Sequence, residues 1–426
     1  MLVNLAYGRA GLEVELPDCS VRHMLHLPEL PVIAEPGRAV EAALVRPTGT
    51  APLAKLAAGH ENAVVVVSDI TRPVPNAVIL PPLLRMLVEA GLAPQDILIL
   101  IATGLHRPNT DDELAEMLGP DVMRFGCRIE NHQARDKGAH VRVGVTSQGT
   151  DAWVDRRYLQ ADLRILTGLV EPHLMAGYSG GRKSICPGLS AAETILAFHR
   201  PELMESPLGV SGNLDGNPVD QEAHDVARLA GGADFILNVT LNARREITGI
   251  FAGDMIAAHR QATAHALRQC AVSVPQPADI VITTAGGYPL DLTYYQGVKG
   301  MVAAADIVKP GGTIIIAQEN AEGIGSPECE AVLLGSDDPH ACIRCALEQD
   351  TREIDLWQIH KLELVLRRAK VLNYSTGIAP EVQRQLFVTP VGSVEEAVAE
   401  CLSEYGPDAT IAVMPDGPYL LASVGA

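Results

Sequence analysis

The chain has 426 residues, a formal net charge of -19 and an apolar share of 47%, with only 4% aromatic residues. This apolar share is that of a globular protein, and the acidic balance argues against a nucleic-acid partner, which needs a basic surface. No apolar run approaches a membrane span, and MLVNLAYGRAGLEVELPD at the start has no signal-peptide pattern. We therefore expect a cytoplasmic protein with two domains and a large core.

The first part of the chain alternates β-branched apolar runs with helical patterns. Strands are predicted at 62–69, 96–104, 163–173, 234–243 and 246–254, and helices at 78–92, 110–119 and 255–270. The helix at 110–119 begins with a threonine cap and carries acidic residues in its first turn. This alternation predicts an α/β domain with a mostly parallel sheet flanked by helices.

A second α/β pattern begins after VPQPAD (274–279), which indicates a linker. Strands are predicted at 279–287, 311–319, within 362–376 and at 410–415, and helices at 298–308, 340–350 and 393–406. We expect a first domain over 1–270 and a second over 271–394, and residues 395–426 could return to the first. The predicted helix at 340–350 contains a lone C-x-x-C, Cys342 and Cys345, which favours ordinary helix cysteines over a zinc or redox site.

Polar side chains follow three of the predicted strands. Asp69 and Arg72 come after the first, His106 after the second and His173 after the third. Ligands in open α/β sheets bind beyond the carboxyl ends of the strands, so these side chains are expected at one edge.

A similar group follows the first strand of the second domain. Tyr295, Gln296 and Lys299 stand after its Gly-Gly turn. If the two domains face each other, both groups line one cleft.

The stretch HLMAGYSGGRKSICPG (173–188) is a glycine-rich loop that carries Lys183 as well as His173. It is not a P-loop, because Arg182 stands where that motif needs glycine and Pro187 blocks the helix that should follow.

Plainer interpretations exist for single residues. Arg72 could pair with Asp69 on a turn, Lys183 could contact an anion, and Lys299 could be solvated. His199, near a helix end, could be a cation that suits the helix dipole.

Two histidines can serve a carbon that bears both H and OH, each as base for one stereoisomer and acid for the other. Arg72 and Lys299 can hold a carboxylate, with Gln296 as an orienting donor. The α-hydrogen of a hydroxy acid is too weakly acidic for a histidine to remove, and a hydride route needs an acceptor that side chains cannot supply. No G-x-G-x-x-G follows a strand, so a nicotinamide site is not supported. A lysine on a glycine loop could carry an acceptor covalently.

The sequence resembles the nickel-pincer-dependent lactate racemase family in motifs spread over most of its length. The matching stretches are SDITRP (68–73), GLHRPNT (104–110), EPHLMAGYSGGRKSICPG (171–188), FH (198–199) and YYQGVKG (294–300). Their order and spacing agree with the family throughout, and the long glycine-loop motif is highly specific.

The resemblance implies a two-domain α/β fold with the active site in the interdomain cleft. It implies a nickel-pincer nucleotide, a pyridinium-3-thioamide-5-thiocarboxylic acid mononucleotide, covalently linked to one lysine and binding nickel through two sulfurs and a ring carbon. The implied positions are Lys183 for the link, His199 for nickel, His106 and His173 for acid/base work, Asp69, Ile70, Thr71 and Arg72 for cofactor contact, and Arg72, Gln296, Lys299, Tyr295 and Trp357 for substrate.

The implied activity is racemisation of lactate or a related 2-hydroxy acid by proton-coupled hydride transfer. The implied partners are this small substrate and the proteins that build the cofactor. Alternatives are an epimerase for a larger hydroxy acid or sugar acid with the same cofactor, and a noncatalytic cofactor-binding protein. A nicotinamide dehydrogenase is a third alternative, against which the missing dinucleotide motif argues.

Overall fold

The computed structural model describes residues 1–336, 338–349 and 353–425, which form two α/β units. The first unit consists of residues 29–199 and 207–269, and the second of residues 1–28, 200–206 and the chain from residue 270 onward. No helix in the described ranges combines the length and the apolar character needed to cross a membrane.

The secondary structure alternates between strands and helices along most of the chain. The strands are β1 Leu2–Leu5, β2 Leu12–Glu15, β3 Val21–Met24, β4 Ala63–Ser68, β5 Ile97–Ala102, β6 Arg128–Asn131, β7 His140–Val145, β8 Asp151–Asp155, β9 Leu163–Leu169, β10 Pro172–His173, β11 Gly177–Tyr178, β12 Phe235–Leu241, β13 Ile247–Gly253, β14 Ala271–Val274, β15 Ala278–Thr284, β16 Val308–Ala317, β17 Ala369–Tyr374, β18 Thr389–Pro390, β19 Ile411–Met414 and β20 Leu421–Val424. The helices are α1 Pro36–Val45, α2 Leu53–Ala57, α3 Asn76–Glu89, α4 Asp111–Arg124, α5 Arg156–Gln160, α6 Ala192–Phe198, α7 Pro201–Met204, α8 Pro218–Leu229, α9 Ala257–Cys270, α10 Tyr294–Ala305, α11 Pro327–Leu334, α12 Pro339–Gln349, α13 Leu356–Leu366, α14 Pro380–Gln385 and α15 Val394–Tyr405.

The main sheet of the first unit has the strand order β13-β12-β9-β4-β5-β6, and its strands run parallel except for β13, which pairs antiparallel with β12. The central strand β4 reads AVVVVS, and Val64 to Val67 are fully buried. Such a run suits a parallel strand that helices cover on both faces. On one face, Val40 and Leu44 of α1 and Ile79 of α3 pack into the core. The predicted α/β class is confirmed.

The main sheet of the second unit has the order β18-β17-β16-β15-β19-β3, with every pairing parallel. Residues of α10 and α13 pack into the core of one face, and residues of α15, β1 and β2 into that of the other. The polar residues of α10 are therefore carried by a helix whose apolar side is fixed against the sheet.

The division of the chain differs from the predicted one at both ends. Residues 395 onward were expected to rejoin the first domain, but β19 lies between β15 and β3 in the second sheet. Residues 1–28, expected in the first domain, supply the edge strand β3. All four residues of β19 are buried, so this strand needs a neighbour on each side. The partly buried β3 suits an edge.

One predicted strand region is partly helical. The segment 362–376 contains the last turns of α13, which ends at Leu366, and then β17. Residues 356–363 of α13 are buried around the whole helix, so no polar face marks them as helical in the sequence. The predicted helix over 340–350 is α12 as far as Gln349, and its last residue, Asp350, lies outside the described residues.

Candidate active site

Three neighbouring strands bring the candidate residues of the first unit to one edge of its sheet. β9, β4 and β5 are adjacent and parallel, so the loops that follow them leave the sheet side by side. These loops begin at residues 170, 69 and 103 and carry His173, Asp69 and His106 respectively. The carboxyl edge of a parallel sheet is where α/β proteins bind their ligands.

Between the loops after β4 and β5, the buried Asp69 carboxylate pairs with the imidazole of the exposed His106. Asp69 Oδ2 lies 2.6 Å from His106 Nδ1, and Asp69 Oδ1 accepts hydrogen bonds from the Thr71 amide at 3.2 Å and the Thr71 hydroxyl at 2.6 Å. Burial works to raise the pKa of the Asp69 carboxyl, but His106, Thr71 and Arg72 outweigh it and hold that pKa below its usual value. An ionised carboxylate can only accept, so Nδ1 of His106 carries a proton, which leaves Nε2 as the nitrogen that can exchange a proton with a substrate.

Arg72 pairs with a carboxylate that the sequence analysis did not select. Its guanidinium lies 3.1 Å from Oε1 of Glu171, which follows β9, so the plainer interpretation of an Arg72–Asp69 turn pair does not describe this loop. The other carboxylate oxygen of Glu171 is buried and has no hydrogen-bond partner among the described residues. Any carboxylate that Arg72 holds must share it with Glu171. The sequence signal that could have selected Glu171 is an acidic residue shortly after the end of a strand.

The glycine loop is fixed to the core through its arginine. Arg182 is 1% exposed, forms an ion pair with Asp220, and donates to the carbonyl oxygen of Ala176 at 3.0 Å. Its other terminal nitrogen lies 3.0 Å from Nε2 of His259. Arg182 therefore stabilises the loop, a role that no local pattern predicts because Asp220 and His259 lie far along the chain.

A close backbone approach explains two of the loop glycines. Gly180 and Gly181 have φ of +77° and +53°, a region that favours glycine. A Cβ on Gly181 would lie 2.9 Å from the His259 ring, and the Gly181 amide donates to Asn238 Oδ1 at 3.1 Å.

The loop brings together two of the predicted residues, Lys183 and His173. Nζ of Lys183 lies 2.8 Å from Nε2 of His173. On the other side of the ring, Nδ1 of His173 accepts from the backbone amides of Met175 and Ala176, each at 3.3 Å. The short β10–β11 pairing, in which His173 faces Gly177, sets this geometry.

His199 stands at the C-terminus of α6, half-buried beside Phe198, with the two rings edge to face and their centroids 4.5 Å apart. Burial lowers the pKa of His199 to about 3, although its hydrogen bond to Ile195 works to raise it, and the Lys183 charge lowers it further. The ring is therefore neutral and not the dipole-stabilising cation of the plainer interpretation. Its Nδ1 donates to the Ile195 carbonyl at 2.9 Å, which leaves the lone pair on Nε2.

The remaining candidates lie on two packed helices of the second unit. On α10, Nζ of Lys299 donates to Oε1 of Gln296, which is 5% exposed. Trp357 on α13 donates from its indole nitrogen to the Tyr295 hydroxyl at 2.9 Å. Burial, followed by the negative charge of Asp355, raises the pKa of the Tyr295 phenol well above its usual value. The structure thus joins Gln296 to Lys299 and Tyr295 to Trp357.

Across residues 1–336, 338–349 and 353–425, no group of three or more His, Cys, Asp or Glu side chains is placed to hold a metal ion. Cys342 and Cys345 are free thiols on α12, one half-buried and one exposed. Burial raises the pKa of the Cys342 thiol, which disfavours a reactive thiolate.

The loops place an Asp–His pair and a Lys–His pair at the carboxyl edge of the parallel sheet of an α/β protein. The chain matches the model of the lactate racemase N-terminal domain over residues 7–210 and that of the lactate racemase C-terminal domain over residues 274–421. It is 35% identical to a lactate racemase of Thermoanaerobacterium thermosaccharolyticum over 419 residues, 97% of each chain. It is 37% identical to a lactate racemase of Lactiplantibacillus plantarum over 381 residues, 89% of each. The chain therefore belongs to the lactate racemase family and is an isomerase.

Solved structures agree with this assignment. The lactate racemase apoprotein of T. thermosaccharolyticum superposes with a TM-score of 0.90 at 34% identity, covering 99% of this chain and 100% of that one. A Thermotoga maritima protein, with a TM-score of 0.71 at 16% identity and coverage of 92% and 100%, shares the fold.

Proposed function

We propose that this enzyme racemises lactate or a closely related 2-hydroxy acid, and that it does so with a nickel-pincer nucleotide linked to Lys183. The observation that carries the proposal is the pair of histidines on the loops after β5 and β9, the two neighbours of β4, each with a defined partner: His106 on Asp69 and His173 on Lys183. Relatives that cover nearly the whole chain are named lactate racemases.

The residues present fit such a cofactor. Lys183 offers a primary amine for the covalent link, and His199 offers a neutral imidazole, which suits nickel. The side chain of Asn238 lies against the glycine loop, where its Oδ1 accepts from the Gly181 amide and its other terminal atom is Nδ2. That Nδ2 is buried and has no hydrogen-bond partner in the described part of the chain, so it is a donor suited to an anionic group.

When bound, the cofactor would supply the hydride acceptor that side chains lack. The chain's own residues would hold the substrate and move its hydroxyl proton. Arg72 and Lys299 hold the carboxylate and Gln296 orients it. His106, whose Nδ1 is bound to Asp69, takes the hydroxyl proton from one stereoisomer through Nε2. His173 takes that role for the other stereoisomer.

The test is co-expression with the cofactor-building proteins, followed by intact mass, nickel content and racemisation of each lactate enantiomer. We expect a mass increment that Lys183→Ala abolishes, about one nickel per chain, and interconversion of the enantiomers. A screen of larger hydroxy acids and sugar acids separates a lactate racemase from an epimerase. A loaded protein inactive on every substrate would favour a noncatalytic binding role.

The two histidines have separate tests in the loaded enzyme. His106→Ala and His173→Ala are each expected to lower kcat by about 10²–10⁴-fold, the usual worth of a general acid or base. Nickel content is the control for loading. Full racemisation by both variants would contradict the assignment.

A further inference from the structure

The loop that carries His106 runs from the end of β5 to the start of α4, over residues 103–109. His106 is exposed, whereas Thr103 and Asn109, at the two ends of the loop, are only 3% and 6% exposed. Within the loop, the His106 amide donates to the Thr103 carbonyl at 3.0 Å. Asp69 holds the ring of His106, and the buried ends of the loop hold the backbone to which that ring is attached.

The far end of the loop is held by the side chain of Asn131, the last residue of the edge strand β6. Asn131 Oδ1 accepts from the backbone amide of Asn109 at 3.1 Å, and Asn131 Nδ2 donates to the carbonyl oxygen of the same residue at 3.1 Å. A primary amide has an acceptor and a donor side by side, so it pairs with both backbone groups of Asn109 as a neighbouring strand would. This double contact fixes both the position and the orientation of that end.

The near end is held by the next residue of the chain, His132. The Thr103 hydroxyl donates to the His132 carbonyl at 3.0 Å, and the His132 amide donates to the Ile101 carbonyl at 3.0 Å. The ring of His132 is buried, with its Nε2 2.9 Å from Nε2 of the buried His140, whose Nδ1 donates to the Asp136 carbonyl at 2.8 Å. His132 is therefore fixed to the core on the side away from the loop.

We propose that Asn131 and His132 are positioning residues for His106, because together they close the loop that carries it. Consecutive residues have Cα atoms about 3.8 Å apart, so both ends of the loop are held against one short segment. Surface loops whose ends lie close together in this way are frequently functional. The inference rests on the proposed function for the chemical role of His106, but not for the closure of the loop.

Closure bears on the rate because a general base must lie within hydrogen-bond reach of its proton. A misplacement of about 1 Å can lower a rate by roughly 10²-fold. The residues proposed to hold the substrate carboxylate, Arg72, Gln296 and Lys299, lie on other elements. An opened loop is therefore expected to lower kcat and to leave the KM for lactate nearly unchanged.

Two variants each break one half of the closure. Asn131→Leu keeps the approximate size of the side chain and removes both hydrogen bonds to Asn109. Thr103→Val keeps the shape of the side chain and removes the donor to His132. Thr103→Ser retains the hydroxyl and is the conservative rescue.

The matched control is Asn62→Leu. The Asn62 side chain is half-buried like that of Asn131, and both of its amide atoms bridge to Asp162. That bridge lies at the amino ends of β4 and β9, whereas His106 follows the carboxyl end of β5. A general effect of losing a bridging amide would appear in this variant as well.

The first measurement is amide hydrogen exchange of the full unloaded chain, resolved to the His106 amide by fragmentation in the mass spectrometer. This amide bonds to Thr103 within the loop, so its faster exchange reports a loosened loop and not a deleted partner. We expect exchange about tenfold faster in Asn131→Leu, which loses two hydrogen bonds, and about fivefold faster in Thr103→Val, which loses one. Asn62→Leu and Thr103→Ser should exchange at the wild-type rate. Unchanged exchange in Asn131→Leu overturns the inference.

The second measurement is racemisation of lactate by loaded protein matched for nickel content. We expect kcat to fall by about 10–10²-fold in Asn131→Leu and by less in Thr103→Val, with KM within about twofold of the wild-type value. Thr103→Ser should recover most of the kcat that Thr103→Val loses. Wild-type kcat in a variant whose loop exchanges faster, or an equal loss of kcat in Asn62→Leu, overturns the positioning role.

The two measurements separate this inference from the proposed function. A loaded wild type that racemises nothing refutes the proposed function, and exchange of the His106 amide still decides whether Asn131 and His132 close the loop. A wild type that racemises, with unchanged exchange in both loop variants, leaves the proposed function standing and refutes this inference alone.

Discussion

At the scale of single residues, the sequence predicted the chemistry better than the contacts. Strand-end position was enough to select Asp69, His106 and His173, because the carboxyl ends of parallel strands meet at one edge. It could not assign partners. The Asp69 carboxylate forms its ion pair with His106, and the guanidinium of Arg72 pairs with Glu171. Those pairings depend on loop conformations whose contacts span neighbouring strands, which no local pattern reports.

The Asp69–His106 pair yields a prediction for Asp69→Asn. The amide can still accept from Nδ1, but it removes the negative charge that stabilises a protonated imidazole. We expect kcat to fall by about 10²-fold or more while the KM for lactate changes little, measured on protein matched for nickel content. Thr71→Val, which removes only the hydroxyl donor to Asp69, should have a much smaller effect. Equal kcat in Asp69→Asn and wild type would show that the charge is not used.

At the scale of elements, the sequence predicted best the helices and strands that have a clear start signal or a clear hydrophobic period. Helix α4 begins where its threonine indicates, with the Thr110 side chain accepting from the Glu113 amide and Glu113 accepting from the Thr110 amide. Helix α13 was missed in part because it is buried all round, so the expected polar face is absent. Its buried polar residues find partners in α7 and the residue that follows it: Lys361 donates to the Met204 carbonyl at 2.9 Å, and His360 pairs with Glu205.

Lys361 yields a prediction about stability and pH. Burial lowers the pKa of its amine from 10.5 to about 8, although Glu205 and Asp306 work to raise it. Between these values the unfolded chain binds more protons than the folded chain, so the free energy of unfolding rises with pH across this window. The rise from this group is at most ~3 kcal/mol.

Lys361→Met should remove that rise, and Lys55→Met, which replaces an exposed lysine of the first unit, should keep it. The measurement is urea unfolding from pH 7.5 to 10.5. It is followed by Trp357 fluorescence in a Trp153→Phe background, because the chain has two tryptophans and Trp357 is that of the second unit. Parallel pH curves for Lys361→Met and wild type would refute the assignment.

At the scale of the whole molecule, composition and alternation predicted two α/β units with mostly parallel sheets, and the structure agrees. They did not predict which segments share a sheet. The apolar pattern of β19 would suit a buried strand in either unit. Its place in the second sheet depends on pairing with β15, which the pattern does not show. Strand partners separated by hundreds of residues leave no local trace in one sequence.

The assignment of residues 1–28 to the second unit predicts the effect of removing them. Deletion takes away β3, the β1–β2 pair and the core residues Leu5, Val14 and Leu16, which exposes β19 and the remaining residues of that core, among them Ile282 and Ile315. We expect the urea midpoint reported by Trp357 to fall by several tenths of molar or more, and that reported by Trp153 to stay within error. The division first predicted from the sequence requires the opposite, a shift in the Trp153 transition alone.

The position of β19 also sets an order of events during synthesis. Because β3 pairs with β19 and not with β15, the strand formed by residues 21–24 has no neighbour in its sheet until residues 411–414 have left the ribosome. The main sheet of the first unit has all its strands by residue 253. For about a third of its translation, the nascent chain therefore carries a finished first sheet between an unpaired leading strand and an incomplete second unit. During this period the leading segment depends on chaperones, or on its own β1–β2 pairing, to avoid misassembly.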